Sequence, residues 1–209
     1  MALKQEIGKH MVTPALMLLL QSAVLAATQG DAPGRTGTST SATALLLCCE
    51  ADQLSGAEKQ RALMRGLELA QDAAAADPAD PQAHFAVFCN LGKQMQSGPL
   101  ESRGLGELGR LRREIDLVLE LAPNDTDALV AKGAMLVSLP WFLGGDTRQG
   151  EELLRAALIR DPAHAEARAY LAAVLRARGA SGQAQALEMR GDGAASASGC
   201  AAQGAALTE

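Results

Sequence analysis

A proline-centred pattern recurs three times in this chain, at Pro78, Pro123 and Pro162. Each proline has alanine five residues after it and leucine thirteen after it, with apolar residues five and eight before it. Because proline interrupts a helix and the apolar offsets suit helices on both sides, the pattern predicts a helix, a short turn and a second helix. The matching positions are Ala83, Ala128 and Ala167; Leu91, Leu136 and Leu175; Ala73, Val118 and Ala157; and Ala70, Ile115 and Leu154.

The residue types favour an all-α fold. Hydrophobic residues, mostly Ala and Leu, make up 48% of the 209 residues, and only 2% are aromatic. Ala, Leu, Glu and Arg favour helices, whereas strands favour β-branched and aromatic side chains. The apolar periodicity predicts helices near residues 42–54, 57–76, 80–96, 103–121, 125–139, 147–160, 164–179 and 181–189.

The repeat resembles the tetratricopeptide-repeat (TPR) family, whose unit is a helix–turn–helix of about 34 residues with small residues where helices cross. The matching small residues are Gly133 and Ala172 in first helices, Gly66, Gly150 and Ala184 in second helices, and Ala73 and Ala157 one helical face further on. His84, Leu129 and Arg168 stand where the family has aromatic residues. The resemblance implies a TPR-like α-solenoid of about three and a half units, with a concave side lined by the first helices.

The spacing between the prolines indicates two insertions. The interval from Pro78 to Pro123 is about eleven residues longer than a repeat, and that from Pro123 to Pro162 about five longer. The first insertion covers QMQSGPLESRGLGELG, and the second is Leu139 to Gly145 within SLPWFLGGD. There Pro140 is expected to end a helix, the Gly-Gly pair to reverse the chain and Asp146 to cap the next helix. Trp141, Phe142 and Leu143 either pack under the repeats or form a partner-binding knob.

The segment KGAMLVSLPWFLGGDTRQGEELLRAALIRDP, together with DPQAHFAVFCNLGK, resembles the T component of tripartite ATP-independent periplasmic (TRAP) transporters. The resemblance covers roughly residues 41–179. It implies an exported or lipid-anchored repeat protein that meets a periplasmic solute-binding protein and, in some members, assembles into a ring. No lipid-attachment cysteine follows the N-terminal apolar run, which argues against the tethered form.

The N-terminus has the features of an export signal. Residues 1–27 contain two lysines, an apolar run from Met11 to Leu20 and a small-residue cleavage site, so we expect a signal peptide and a periplasmic or otherwise exported protein. The alternative is an uncleaved membrane anchor. Residues 28–40 are predicted to be a flexible linker, 41–189 the helical-repeat domain and 190–209 a disordered tail.

Charge and cysteine patterns exclude several classes of function. The net charge is −5 and no basic block is present, so nucleic-acid binding is not expected. The four cysteines lack Cys-x-x-Cys spacing, so neither a metal site nor a cofactor is predicted. We expect buried thiols; the alternative is a disulfide from Cys89 to Cys48 or Cys49.

Catalytic chemistry finds little support in the sequence. His84 and Cys89 lie five residues apart and point in different directions on a helix, so we expect His84 to be a packed side chain and the protein not to be an enzyme. His164 is expected to face solvent near a helix start. Arg110, Arg112 and Arg113 are expected on a solvated helix face.

The function expected is therefore that of a non-catalytic scaffold for a protein partner; the alternative is a module that binds a small molecule or lipid in an apolar groove. The repeat register places ten residues of the first helices on the concave side: Gln82, Phe85, Cys89, Lys93, Asp127, Val130, Ala134, Glu166, Ala169 and Ala173. The candidate binding residues are Phe85, Cys89, Lys93, Val130, Ala134, Trp141 and Phe142.

Overall fold

The protein is all-helical in the part that the structure, a computed structural model, describes, namely residues 33–97 and 104–189. These residues form eight α-helices and one 3₁₀ turn, with no strand among them. The prediction of an all-α fold is therefore confirmed. The helices are α1 (Pro33–Glu50), α2 (Gly56–Ala76), α3 (Pro81–Ser97), α4 (Leu105–Leu121), α5 (Thr126–Ser138), α6 (Thr147–Arg160), α7 (Ala165–Ala177) and α8 (Ser181–Met189), with the 3₁₀ turn Trp141–Leu143 between α5 and α6.

Consecutive helices pack against each other along the chain, and α1 also packs on α3 and α5 on α7. All twelve apolar positions of the proline-centred pattern are buried, none more than 6% exposed. Each fully buried leucine or isoleucine contributes roughly 1.5–3 kcal/mol through loss of water contact. The pattern therefore marks the core-facing residues of the second and first helices on either side of each turn.

The turns after the three prolines use the same capping position. Two residues after the proline, the side chains of Asp125 and His164 accept the backbone N–H of Ala128 at 2.8 Å and of Ala167 at 3.3 Å. Asp80, at the equivalent place, accepts the N–H of Gln82 at 2.9 Å. Such contacts satisfy backbone donors that a helix start leaves unpaired.

The predicted small residues lie where helices approach closely. A Cβ atom at Gly150 would lie 2.5 Å from Cγ1 of Val137 and 2.8 Å from the carbonyl oxygen of Gly133. Both distances are too short for any side chain, so α5 and α6 reach this separation only because both positions are glycine.

Gly66 in α2 makes room for a buried amide. A Cβ atom there would lie 2.1 Å from Oδ1 of Asn90, which is fully buried in α3. The Nδ2 atom of Asn90 donates to the carbonyl oxygens of Ala44 at 3.0 Å and Ala86 at 2.9 Å. Asn90 therefore joins α1, α2 and α3, a role that the sequence reasoning missed.

The linker prediction for residues 28–40 is wrong from Pro33 onward, because α1 begins there and continues to Glu50. Proline is well suited to a first helical position, and α1 packs on two neighbouring helices, α2 and α3. The helix also ends before the predicted residue 54. The proposed signal peptide and residues 190–209 lie outside the described residues. None of the described helices has the length and apolar character needed to cross a bilayer.

A disulfide joins Cys48 of α1 to Cys89 of α3, with the Cα atoms 6.2 Å apart. The expectation of buried free thiols is thus wrong for this pair, and the pairing is with Cys48. The side-by-side packing of α1 and α3 brings together two residues that are 41 positions apart in sequence. Sequence spacing alone does not show this proximity.

Candidate binding groove

A groove of about 480 Å³ opens on the face formed by α3, α5 and α7, and α4 closes one side of it. Its volume lies in the range of about 300–1,000 Å³ typical of ligand pockets. Most of the lining side chains are apolar. The lining residues are Phe88, Cys89, Gly92, Lys93, Met95, Gln96, Leu108, Leu111, Val130, Ala131, Ala134, Met135, Ser138, Leu139, Glu166 and Tyr170.

Four of the seven predicted binding residues line this groove: Cys89, Lys93, Val130 and Ala134. Phe85 does not line it. Its ring stacks on Phe88 with centroids 6.2 Å apart and packs against the buried clusters between α1, α2, α3 and α4. Phe85 therefore lies on the core-facing side of α3, behind the residues that line the groove.

The other positions expected on the concave side divide between the groove and its surroundings. Glu166 lines the groove, whereas Ala169 and Ala173 are exposed outside it. Gln82 and Asp127, at the starts of α3 and α5, do not line it either. The side chains of α3 and α5 that line the groove therefore come from the later turns of these helices, and those of α7 come from its first turns.

Lys93 is held at the α3 end of the groove by one contact from α1 and one from the turn that follows α1. Its Nζ atom lies 2.6 Å from Oδ2 of Asp52 and 2.8 Å from the carbonyl oxygen of Cys48. The carboxylate neutralises the ammonium group, and the disulfide from Cys48 to Cys89 fixes the same two helices one turn away. The α3 wall of the groove is therefore attached to α1 and the turn after it by a disulfide and an ion pair.

Glu166 and Tyr170 lie at the α7 end, four residues apart and thus on one helical face. Glu166 is exposed and has no ion-pair partner among the described residues. Partial burial, with a smaller contribution from the charge of Glu166, raises the pKa of the Tyr170 hydroxyl. Sequence reasoning missed Tyr170, although its spacing from Glu166 was a usable signal.

The loop between α5 and α6 is ordered and compact. Helix α5 ends at Ser138, before Pro140, and Gly144 adopts φ of 75°. A Cβ atom at Gly145 would lie 1.7 Å from the carbonyl oxygen of Leu139, and Asp146 Oδ1 caps α6 by accepting the N–H of Gln149 at 2.9 Å. The predicted helix stop, reversal and cap are all confirmed.

Trp141 is 83% exposed and Phe142 67% exposed, with their rings edge to face at 6.0 Å between centroids. The alternative in which these two rings pack under the repeats is therefore wrong. We call the pair the Trp141–Phe142 knob. The knob does not line the groove, but it follows Leu139, which does.

Arg112 of α4 supports this loop. Its guanidinium group donates to the carbonyl oxygen of Leu143 and lies against Gly144. The expectation that Arg112 belongs to a solvated face is therefore wrong, because the insertion folds back onto α4. Arg110 does reach Glu114, at 3.7 Å on the same helix.

The two described histidines are both buried. His84, as expected, is packed: its Nδ1 atom lies 2.8 Å from Oε2 of Glu114 and its Nε2 atom 3.0 Å from the carbonyl oxygen of Pro78. It does not pair with Cys89, whose sulfur is bonded to Cys48.

His164, expected to face solvent, is only 5% exposed because it caps α7 and meets α5. Its Nε2 atom lies 3.1 Å from Oδ1 of Asp127, and this hydrogen bond raises the pKa of His164 despite burial, which lowers it. The capping contact at Nδ1 favours the neutral ring, but at 3.3 Å it is long and the carboxylate contact outweighs it. Among the described residues no group of three His, Cys, Asp or Glu side chains is arranged to hold a metal ion.

No protein-family model matches this chain, and a search of curated proteins finds no significant match.

Proposed function

We propose that the protein is an exported, non-catalytic helical-repeat scaffold that binds a protein partner in the groove between α3, α5 and α7. The single observation that carries this proposal is the apolar groove of about 480 Å³ walled by the first helices of successive helix pairs. Grooves of this kind accept helical or extended peptide segments by burying apolar side chains.

The TPR-like α-solenoid arrangement is part of the same proposal. Three features support it: the shared burial of all twelve pattern positions, the glycine crossing of α5 on α6, and the lateral packing of α1 on α3 and α5 on α7. In such arrays the first helices form a continuous concave surface.

A braced wall suits a binding surface. The Cys48–Cys89 disulfide and the contacts of Lys93 hold α1 against α3 before any partner arrives. A preformed site avoids the cost of ordering its side chains on binding. Oxidised cysteines are also typical of exported proteins, which agrees with the predicted N-terminal signal.

The Trp141–Phe142 knob supplies a second contact. Large exposed aromatic side chains on a rigid support are the residue types most enriched at binding hot spots. The partner that the resemblance suggests is a periplasmic solute-binding protein, which would place this chain beside a TRAP-type transport system.

Site-specific photo-crosslinking in the native cell tests the proposal. A photoreactive amino acid replaces Ala134, which lines the groove, or Ala173, which has the same register in α7 but lies outside it. We expect a protein partner to be captured from position 134 and not from 173, in the exported fraction. Equal capture at both positions, or capture only in the cytoplasm, contradicts the proposal.

A small-molecule or lipid module is the second candidate, favoured by the volume and apolar lining of the groove. Native mass spectrometry of the purified full chain separates the two. A stoichiometric bound solute that the substitution Ala134→Trp displaces would favour the second candidate over the first.

A further inference from the structure

Among the described residues that line the groove, two side chains are charged, Lys93 at the α3 end and Glu166 at the α7 end. The lysine is paired with Asp52 at 2.6 Å, so its charge is already compensated. The carboxylate of Glu166 has no such partner among the described residues. The described part of the groove therefore presents one negative charge without an ion-pair partner, that of Glu166, at one end of a mostly apolar surface.

The surroundings of Glu166 leave its charge available to a ligand, because His164, whose pKa it raises only by a weaker through-space effect, is hydrogen-bonded to Asp127 at 3.1 Å instead. The basic side chains of α7 and of its C-cap residue are engaged elsewhere: Arg168 donates to the carbonyl oxygen of Pro162, Arg176 to Glu188 and Arg178 to Glu151. Lys132 on the neighbouring α5 is paired with Asp116 at 2.7 Å.

Tyr170 adds a second element of recognition beside this carboxylate. Its ring lines the groove and remains 37% exposed. A cation between a carboxylate and the face of an aromatic ring gains both the Coulomb attraction and a cation–π contact. Neither feature favours an anionic or purely apolar group at this end.

We propose that the occupant of the groove is a peptide segment of a partner protein that is mostly apolar and carries one lysine or arginine, whose charge is bound by Glu166 and Tyr170. This inference rests on the proposed function and specifies the chemistry of the partner. The apolar residues pack along α3 and α5, and the basic residue sets the direction of the segment by lying at α7.

Selection from a phage-displayed library of random peptides tests this. The baits are the purified full chain and three variants: Glu166→Gln, the groove-filling Ala134→Trp, and Glu58→Gln. Glu58 is a matched control because it is also an exposed acidic residue in the first turn of a helix, but it lies in α2, outside the groove.

We expect the wild-type chain to enrich apolar peptides with one basic residue, and Ala134→Trp to abolish that enrichment. Glu166→Gln should weaken binding of the enriched peptides by about three- to tenfold, an effect typical of a partly exposed charge contact. Glu58→Gln should bind the enriched peptides as tightly as the wild type does. When the basic residue of the peptide is replaced by norleucine, Glu166→Gln and the wild type should bind that peptide equally.

Three results would overturn the inference in distinguishable ways. Groove-dependent peptides without a basic residue would leave the proposed function standing and refute the charge assignment. The same peptides selected by wild type and Ala134→Trp would refute both. Wild-type dimers in sedimentation that Ala134→Trp converts to monomers would make a second copy of the chain the occupant, which also refutes the inference.

Discussion

Cys89 of α3 is bonded to Cys48 of α1 while its own side chain lines the groove, so one covalent link joins the first helix to the binding surface. The same wall carries the contact of Lys93 with the carbonyl oxygen of Cys48. The Cys48–Cys89 disulfide therefore affects both the stability of the fold and the shape of the groove.

Removing this bond should destabilise the protein without unfolding it. For a loop of 41 residues, the chain-entropy model gives about 4 kcal/mol, and measured values are typically about 2–4 kcal/mol. We expect the double substitution Cys48→Ala, Cys89→Ala to lower the free energy of unfolding in urea by about that amount. A loss below about 0.5 kcal/mol, the usual range for surface changes, would contradict a structural role for the disulfide.

The close approach of α5 and α6 predicts an unusual response to Gly→Ala. Alanine normally stabilises a helix interior by about 0.5–1 kcal/mol relative to glycine. Gly150→Ala should instead destabilise by about 1–3 kcal/mol, because its Cβ would overlap Val137 and the backbone of Gly133. Gly109→Ala in α4 is the control, since its Cβ would lie 3.5 Å from an arginine side chain and should give the ordinary gain in thermal melts. Equal changes in melting temperature for Gly150→Ala and Gly109→Ala would mean that α5 and α6 can move apart at little cost in free energy.

The exposed knob should contribute little to folding. We expect Trp141→Ser, Phe142→Ser to change the free energy of unfolding by less than about 0.5 kcal/mol, whereas Leu154→Ala in the core should cost about 2–5 kcal/mol. Acrylamide should quench the wild-type fluorescence efficiently, since Trp141 is the only tryptophan. A protected indole, or a large loss of stability in the double variant, would show that the knob packs against the protein. With folding intact, loss of the crosslinked partner would assign the knob to the interface.

The loop between α5 and α6 depends on one side chain from α4. Arg112→Ala should accelerate amide hydrogen exchange over residues 139–146 and lower stability by roughly 1–2 kcal/mol, because a hydrogen bond from a charged group is lost. Arg113→Ala, which removes the exposed neighbour, should leave exchange in this loop unchanged. Faster exchange in both variants would point to a general loosening of α4.

Most helix boundaries could be predicted because prolines, apolar offsets and caps are local signals. Pro140 and Asp146 illustrate this, since each acts on residues next to it in sequence. The disulfide, the contact of Arg112 with the inserted loop and the burial of His164 all join residues that are far apart in sequence. Composition cannot reveal such contacts, and they account for the main errors of the sequence reasoning.

The groove was only partly predictable for the same reason. The repeat register identified which face of α3 and α5 it uses, and so found Cys89, Lys93, Val130 and Ala134. It could not show that α4 contributes Leu108 and Leu111, because the insertion before α4 changes the register. Tyr170 was missed although its spacing from Glu166 indicated a shared helical face.

His164 and Asp127 provide a test of the contact between α5 and α7. The carboxylate raises the pKa of His164 above its ordinary value of 6.5, so Asp127→Asn should lower that pKa in an NMR titration of the ring. Glu166→Gln removes a weaker, longer-range contribution and should lower it less. Because the folded-state pKa lies above the unfolded one, the pair stabilises the protein fully below pH 6.5 and loses this contribution as pH rises through the folded-state pKa. The difference in unfolding free energy between wild type and Asp127→Asn should therefore shrink with rising pH across that range. An unchanged His164 pKa in Asp127→Asn would mean that α5 and α7 do not meet through this pair in solution.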